Sequence, residues 1–343
     1  MSRNISAKEA PNGKRTVLAD VIPLDTPFIV QIFDIYAGNL ACKFCHYGLP
    51  VNERPRLTEK NVMDLDLFKK IIYDMKCFPR KIKMLRFCGA GESLLDPNLV
   101  EMIDYAAKQN VAEQIELITN GTLLTPEMSR KILDTNGLTR IRFSIYGLSS
   151  QMYQDICQRD INFETVLNNI RFFYEERERR RADVRIYSKI MDCCLSDEEE
   201  KDKFVRLFSD YCDVYAIEEV IPNVTGIDYS QWLDGVETRN ALGFQLPEIK
   251  ICPQPYHLVT IRPDGKVVPC QKEFMTPVGD CTQQSFVDVW NGTEMFEFQK
   301  KMLDGNLCMG GPCAECQVVQ WRPFPEDILD GAVDKLKEIY SKR

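Results

Sequence analysis

Short apolar runs alternate with amphipathic helical patterns from about residue 28 to residue 222, and this alternation limits the folds open to the chain. Parallel strands need a crossover connection, usually a helix, so the pattern predicts a parallel sheet covered by helices. The predicted strands are Phe28–Ile35, Met84–Cys88, Gln114–Thr119, Arg140–Ile145, Val184–Met191 and Val214–Val220. The predicted helices are Asp64–Met75, Leu99–Lys108, Pro126–Thr135, Phe163–Arg181 and Asp197–Phe208, the last capped by Ser196.

Six strand–helix repeats fit an α/β fold of the partial (β/α)6 TIM-like barrel type. In such a barrel the loops that follow the strands form one working face. A composition change after residue 222 and a cysteine-rich C-terminal part predict further units. We expect an N-terminal extension at 1–27, the barrel at 28–222, a linker at 223–250, a cysteine-rich domain at 251–322 and a C-terminal helix at 323–343.

Composition excludes several classes of function. A formal net charge of −8 argues against nucleic acid as the main partner. The sequence contains no run of roughly 20 apolar residues and no apolar core of a signal peptide, so we expect a cytoplasmic protein without a membrane partner. With only His46 and His257, His-rich zinc catalysis and Ser-His-Asp chemistry are unattractive.

Fourteen cysteines in a chain of this kind predict metal ligands and packing residues rather than a disulfide framework. The pair Cys42/Cys45 follows the first predicted strand, and the pair Cys313/Cys316 lies near the C-terminus. Two Cys-x2-Cys pairs can form one zinc site, but their wide separation in sequence makes a single zinc knuckle a poor interpretation. The cysteines assigned to packing are Cys77, Cys157, Cys193, Cys194, Cys212 and Cys281.

Polar and glycine-rich segments follow the next three predicted strands. The second strand runs into Cys88–Pro97, which contains Gly89, Gly91 and Glu92; the third ends at Asn120-Gly121, and the fourth at Ser144. Glycine lets a backbone approach a ligand closely. Because the carboxyl ends of parallel strands share one face, these segments are expected to meet beside Cys42 and Cys45.

Together these motifs resemble those of radical S-adenosylmethionine (SAM) enzymes. The stretch Gly38–Cys45 resembles the family's cluster-binding loop, Cys-x3-Cys-x2-Cys, with Gly38 at the position of the first cysteine. Cys88–Pro97 resembles the family's Gly-Gly-Glu-Pro segment, from which Ala90 and Ser93 depart. The resemblance covers about residues 28 to 320.

The resemblance implies the cofactors and their ligands. A [4Fe–4S] cluster would be bound by Cys42 and Cys45, with SAM beside it. The residues expected to contact SAM are Phe44 near adenine, Gly89, Gly91 and Glu92 at the amino group, Asn120 and Ser144 at the ribose or carboxylate, and Lys189 at the carboxylate.

The C-terminal cysteines resemble those of the SPASM or shorter twitch extension. In that resemblance Cys252, Cys270, Cys313 and Cys316 bind one auxiliary [4Fe–4S] cluster, for which Cys308 is a substitute ligand. Residues 261–270 would form a hairpin around Asp264-Gly265, a favoured turn sequence. A structural zinc bound by four cysteines is the alternative.

The resemblance implies a radical SAM oxidoreductase, which cleaves SAM reductively to a 5′-deoxyadenosyl radical and abstracts hydrogen from a small, sugar-like substrate. Flavodoxin or ferredoxin would supply the electron. The alternatives are a peptide-modifying maturase and a non-catalytic SAM-binding protein; no catalytic residue is assigned.

Gly38 leaves the first cluster ligand unexplained. The glycine is an engineered substitution, a natural loss, or a loss compensated by a nearby ligand. The nearby candidates are Asp34, Tyr36, His46 and Cys88, with Cys88 the first to test.

Overall fold

A computed structural model describes residues 15–342 apart from 55–57, 59, 223, 225, 233–239, 241, 243, 246 and 273–274. Nine strands form one sheet in the order β6-β5-β4-β3-β2-β1-β7-β8-β9, and every pairing from β6 to β7 is parallel. The strands are β1 Ile29–Ile32, β2 Met84–Phe87, β3 Ile115–Thr119, β4 Arg140–Ile145, β5 Arg185–Met191, β6 Val214–Glu218, β7 Leu258–Ile261, β8 Lys266–Val268 and β9 Gly279–Asp280.

Helices connect the parallel strands of this sheet, as the alternating pattern predicts. The α-helices are α1 Leu65–Asp74, α2 Leu99–Gln109, α3 Pro126–Asp134, α4 Ser150–Cys157, α5 Phe163–Arg180, α6 Glu198–Phe208, α7 Phe286–Trp290, α8 Thr293–Met302, α9 Asn306–Met309, α10 Gly311–Ala314, α11 Val318–Trp321 and α12 Val333–Ser341. The six predicted strands and five predicted helices of the barrel are all present, with ends that differ by a few residues. Among the described helices, none has the length and apolar character that crossing a bilayer requires.

The sequence prediction differs from the structure at two helix positions. Helix α4 was not predicted, although Ser149 caps it by accepting a hydrogen bond from the Met152 N–H. Its two turns are too short for a convincing apolar period. The cap of α6 is Asp197 rather than Ser196, because the Asp197 side chain accepts the Glu200 N–H while Ser196 donates to the Glu200 carboxylate.

Strand β1 lies where the two halves of the molecule meet. It pairs in parallel with β2 on one side and with β7 on the other. Val30 and Ile32 are fully buried there. The predicted hairpin is present, since β7 and β8 are antiparallel. Through β1 the C-terminal hairpin extends the barrel sheet across the expected domain boundary at residue 251.

Alternate residues of the strands face opposite sides of the sheet. Leu85, Leu117 and Ile141 belong to the apolar core, while several of the residues that alternate with them carry charge. The charged residues are register partners on four adjacent strands: Arg86 on β2, Glu116 on β3, Arg140 on β4 and Arg185 on β5, which we call the charged row. Barrel interiors of this type usually contain branched apolar side chains.

The central position of β4 generates the first prediction. Ile141 is fully buried between Leu117 and Ile186, its register partners on the neighbouring strands, whereas Ile217 on edge strand β6 is 36% exposed. Ile141→Ala should lower the free energy of unfolding by about 2–5 kcal/mol because it leaves a cavity in the core. The matched change Ile217→Ala should cost about 1 kcal/mol or less. Chemical denaturation checks both, and equal costs would contradict this assignment of the core.

Candidate functional site

A cavity of about 150 Å3 lies at the carboxyl ends of the first four strands. It contains every residue predicted from the radical SAM motifs for this end of the barrel, with one exception. The predicted residues that line it are Cys42, Phe44, Cys45, Gly89, Gly91, Glu92, Asn120 and Ser144, together with Gly38. Successive strands of a parallel barrel therefore bring these sequence-distant motifs to one place, and we call this space the upper cavity.

The exception is Lys189, which does not line the upper cavity. In the sheet register it is the partner of Ser144, but its ammonium group donates to the Glu218 carboxylate at 2.8 Å. Burial lowers the pKa of Lys189. The Lys189 ammonium, together with Arg322, more than offsets burial at Glu218 and lowers the pKa of that carboxyl to about 2. Lys189 is thus held by an ion pair in the barrel wall.

The two glycines after β2 allow the backbone to close onto the end of β1. At Gly89 the φ angle is +138°, and a side chain there would collide with the Phe33 ring. A Cβ at Gly91 would lie 2.3 Å from the Ile35 carbonyl oxygen. Only glycine fits both positions, so the loop brings its own backbone to the cavity wall.

Glu92 ties this loop to the end of β3. Its carboxylate accepts the Thr119 hydroxyl at 2.7 Å, the Asn120 N–H at 2.9 Å and the Leu94 N–H at 3.1 Å. Burial raises the pKa of Glu92, and the hydrogen bonds oppose that rise. A carboxylate has about four lone-pair positions, so these three bonds leave about one acceptor position on Glu92, a residue that lines the upper cavity.

Asn39 is a site residue that the sequence analysis did not single out. Its amide oxygen accepts from the Asn120 side chain at 2.9 Å, and its NH2 group donates to the Thr122 hydroxyl at 2.7 Å. These bonds join the loop after β1 to the end of β3. Its place directly after Gly38 in the loop motif was the available signal.

Cys42 contacts a thiol that the sequence assigned to packing. Its Sγ lies 3.4 Å from Cys157 Sγ at the end of α4. This hydrogen bond and burial raise the pKa of Cys42 well above its usual value. Cys194 is also buried, as expected of a packing residue, but Cys77 is exposed, which corrects that assignment.

The Tyr47 ring packs against Gly38. A Cβ built on Gly38 would lie 2.9 Å from two carbon atoms of that ring, so a cysteine there would require the ring to shift. The φ of Gly38 is outside the left-handed region, and its backbone would accept another residue. The obstacle to a first cysteine is therefore the Tyr47 side chain.

The proposed substitutes for that cysteine occupy other positions. Cys88 packs with Phe33 and Ala90, and burial raises its pKa to about 12. Asp34 is buried and accepts the Ser93 hydroxyl at 2.7 Å. Neither Cys88 nor Asp34 lines the upper cavity, and neither do Tyr36 and His46.

Residues of the expected linker contact the loop that carries the two cysteines. The Tyr229 hydroxyl donates to the Phe44 carbonyl at 3.0 Å. Trp232 packs edge-on against the Phe44 ring at 6.2 Å, and Tyr146 packs on it at 5.6 Å. The part of the linker that the structure describes therefore fixes the position of Phe44.

A second, smaller cavity contains the four predicted auxiliary ligands. Cys252, Cys270, Cys313 and Cys316 all line this space of about 30 Å3. They come from the segment before β7, from the residues after β8 and from the short helices near the C-terminus. Cys308 is exposed and lies outside it, while Cys281 is fully buried in the core, as predicted.

The thiols of this C-terminal site fit a metal cluster chemically. Burial raises the pKa of Cys252 to about 12 and that of Cys313 to about 11, so without a cation these groups stay protonated. Cys270 Sγ accepts the Lys272 N–H at 3.3 Å, a contact that stabilises a ligating sulfur. Across the described residues, no three His, Cys, Asp or Glu side chains already stand at the spacing of a single metal ion.

A third and larger cavity, of about 610 Å3, lies at the amino ends of the strands, and we call it the lower chamber. Arg86, Arg140 and Arg185 of the charged row line it, and Arg142 lies one interior position further along β4. Cys252 lines both the chamber and the auxiliary cavity. The chamber therefore borders the auxiliary cysteines directly.

An apolar layer separates the chamber from the upper cavity. Phe33, Cys88 and Ala90 form a buried cluster of their own, with Ile118 packed against it. From β2 into the loop that follows it, Arg86 lines the chamber, Cys88 belongs to the layer, and Ala90 belongs to the layer and also lines the upper cavity. The barrel interior thus has three levels.

Comparisons with known proteins agree with this arrangement. Residues 34–180 match the family model of the radical SAM superfamily, and residues 252–317 match that of the SPASM iron–sulfur cluster-binding domain. Together the two matches cover well over half of the chain. The chain belongs to the radical SAM superfamily and carries a C-terminal SPASM domain. Its cofactors are those of the two families: a SAM-binding [4Fe–4S] cluster, SAM and an auxiliary [4Fe–4S] cluster.

Curated relatives match over part of their length. A tungsten-containing aldehyde ferredoxin oxidoreductase cofactor-modifying protein of Pyrococcus furiosus is 35% identical over 107 residues, 31% of this chain and 27% of that protein. A GTP 3′,8-cyclase of Aliarcobacter butzleri is 28% identical over 216 residues, 62% of this chain and 61% of that enzyme. The chain thus spans less than two thirds of these relatives.

Solved structures share the fold at low sequence identity. SuiB of Streptococcus suis bound to SAM gives a TM-score of 0.64 at 12% identity, covering 90% of this chain and 79% of that chain. BtrN in complex with AdoMet and 2-DOIA gives 0.53 at 16% identity, covering 86% and 95%. Both support the partial barrel with a C-terminal extension.

The C-terminal cysteines generate the second prediction. Cys313→Ala should remove the iron of the auxiliary site, about four atoms per chain, because one of four thiolates is lost. Cys308→Ala, in the same segment but exposed and outside the cavity, should leave the iron content unchanged. Iron, zinc and sulfide analysis after anaerobic reconstitution checks both. Stoichiometric zinc in place of iron at this site would contradict the assignment of an iron–sulfur cluster to these four cysteines.

Proposed function

We propose that this chain is a radical SAM oxidoreductase that takes hydrogen from a small molecule bound inside its barrel, with an impaired SAM-cleaving site. One observation carries the proposal: inside one barrel, a cavity with SAM-type walls lies on one side of an apolar layer, and a chamber that borders the auxiliary cysteines lies on the other side. A substrate in the chamber would lie between two redox centres. Radical SAM enzymes act on small molecules or on peptides.

The upper cavity supplies the residues for cofactor binding. Cys42 and Cys45 would ligate the cluster, and the backbone at Gly91 with the remaining Glu92 acceptor position would receive the SAM amino group. Asn120 and Ser144 would contact the ribose or carboxylate. The reduced cluster with SAM supplies a radical that abstracts hydrogen. The protein's own part is to orient SAM and to keep water from the site.

The apolar layer suits a barrel in which SAM binds on one side of the layer and the substrate on the other. Phe33, Cys88 and Ile118 present no charged or strongly polar group between the two spaces. A substrate carbon that reaches toward SAM would contact this layer, while its polar groups stay in the chamber. Exclusion of water at that level protects a reactive intermediate from side reactions.

The lower chamber favours a small molecule over a peptide. Ligand cavities of about 300–1,000 Å3 suit small molecules, and the chamber is about 610 Å3. Its border with Cys252 supports a role for the auxiliary cluster as acceptor of the substrate electron. We further propose a flavodoxin or ferredoxin as reducing partner and a cytoplasmic location.

Gly38 leaves the first cluster with two protein thiolates, so the donor set fits the family's cluster only in part. The Tyr47 ring stands where the missing side chain would begin, which favours a chain adapted to the glycine over a simple substitution. Cys157 does not line the upper cavity either, but its Sγ lies 3.4 Å from Cys42 Sγ, which makes it the first compensating ligand to test.

Restoring the third thiolate is the third prediction. Gly38→Cys combined with Tyr47→Ala should add iron to a level of one further cluster, about four atoms per chain, and should accelerate SAM cleavage. Gly38→Cys alone should give less because the Tyr47 ring must move, and Tyr47→Ala alone should give nothing. Iron analysis and chromatography of 5′-deoxyadenosine provide the measurement.

The unaltered chain is the control for this series. If it already cleaves SAM as fast as the double variant, the third ligand is present elsewhere. In that case Cys157→Ala and Cys88→Ala, made separately in the unaltered chain, identify which thiol provides it.

A further inference from the structure

The lower chamber carries far more positive than negative charge. Seven Lys and Arg side chains line it: Arg15, Lys83, Arg86, Arg140, Arg142, Arg185 and Arg322. Only Glu113, Glu218 and Asp327 of its lining are acidic. The chain as a whole has a formal net charge of −8, so this concentration of cations runs against the overall composition.

The charges at the rim are paired, and the surplus lies inside. Arg15 donates to both carboxylate oxygens of Asp327 at 3.0 Å. Exposed Glu113 attracts Lys83, whose ammonium also lies over the Phe28 ring. These pairs balance the mouth of the chamber locally.

In the interior three guanidinium groups form ion pairs with one carboxylate, and buried Glu218 adds a second negative charge that acts on Arg142. Glu116 is fully buried and forms ion pairs with Arg86, with Arg140 at 2.9 Å and with Arg142 at 3.1 Å. The three guanidinium groups more than offset the effect of burial and lower the pKa of Glu116 to about 2, so it stays ionised. Burial, together with Arg142 and Arg86, outweighs the attraction of Glu116 and lowers the pKa of Arg140 to about 10. At Arg142 the attraction of Glu116 and Glu218 outweighs burial and raises the pKa.

The charged row adds a direct like-charge pair. Arg140 and Arg185 are register partners on adjacent strands, and both line the chamber. Like charges directly opposite each other destabilise a sheet. Arg185 forms no ion pair with any residue that the structure describes. Arg322 and Lys189 both form ion pairs with Glu218. Burying so many cations is costly unless counter-charges accompany them.

We propose that the lower chamber binds a phosphate ester, whose phosphate group is held by Arg142, Arg185 and their neighbours of the charged row. Guanidinium groups match phosphate oxygens in bidentate geometry, and several of them converge here on one space. Binding of the ester does not depend on the proposed function; only its role as the substrate does.

The position of the arginines fits such a substrate. Arg142 and Ser144 are two residues apart on β4, a rise of about 7 Å, and Ser144 lines the upper cavity. A phosphate held at Arg142 therefore leaves the adjoining carbons of a small ester near the apolar layer. The same molecule would lie beside Cys252 on the other side.

The test compares three ligands with one carbon skeleton: glycerol 3-phosphate, glycerate and glycerol. Isothermal titration of the reconstituted chain without SAM should show binding of glycerol 3-phosphate and none of glycerol. Arg142→Gln and Arg185→Gln should each weaken binding about tenfold or more, because a charge-assisted hydrogen bond is lost. Arg185→Lys should retain part of the affinity.

The matched control is Arg206→Gln, which removes one exposed arginine on α6 that does not line the chamber. It changes the net charge equally and should leave the affinity unchanged. Equal weakening by Arg206→Gln and Arg185→Gln would overturn the proposal, because binding would then reflect overall charge. Tighter binding of glycerate than of glycerol 3-phosphate would also overturn it.

Glu116→Gln should change the affinity for the ligand in the opposite direction. Removing the carboxylate that forms ion pairs with three guanidinium groups should make glycerol 3-phosphate bind more tightly, and the thermal midpoint should then depend more strongly on the ligand. Unchanged or weaker ligand dependence would count against the chamber as the binding site. If the variant fails to fold without ligand, rescue of folding by glycerol 3-phosphate but not by glycerol is the expected result, and absence of rescue contradicts the proposal.

SAM cleavage measured on the same preparations separates this inference from the proposed function. One outcome is ligand binding that depends on Arg185 but no SAM cleavage, even in the chain with a restored thiolate. That outcome would support the anion site and contradict the proposed radical chemistry. Cleavage without phosphate-ester binding would do the reverse.

Discussion

The parallel pairing of β1 with both β2 and β7 is the constraint on which the rest of the structure depends. Because Val30 and Ile32 are fully buried between the two neighbours, the register of all three strands is fixed at once. That register sets the loop of Cys42 and Cys45 at one end of β1 against the glycine loop after β2. It also sets β7, and with it the segment of Cys252, beside the same barrel.

The interior of the barrel is organised by charge as well as by shape. Three arginines on one buried glutamate are tolerated because the chamber around them is open to solvent and to ligands, whereas a dry core would demand one counter-charge for each. The apolar cluster above them keeps this polar region away from the upper cavity. An ionic environment at Arg86 and an apolar one at Cys88 therefore lie only two residues apart along the chain.

Gly38 and Tyr47 show that the ligand set of the first cluster can differ from the family motif while the fold stays the same. The glycine loop, the Glu92 network and the Asn39–Asn120 bond hold the upper cavity in shape without help from a third thiolate. A ring then occupies the space beside Gly38. The architecture of the cofactor site and the ligand set of its cluster are consequently separable properties of this chain.

The sequence by itself determined the elements and the order of the motifs, because helix and strand periods and the glycine turns are local properties. It therefore predicted six strands, five helices, the hairpin and the residues that meet in the two cysteine-lined cavities. Tertiary structure alone decided which distant groups share a space. Arg86, Arg140 and Arg142 look like ordinary surface charges in sequence, and only the strand register brings them together around Glu116. Cys157 likewise meets Cys42, and Lys189 turns to Glu218, because packing across the barrel brings together residues that no local pattern connects.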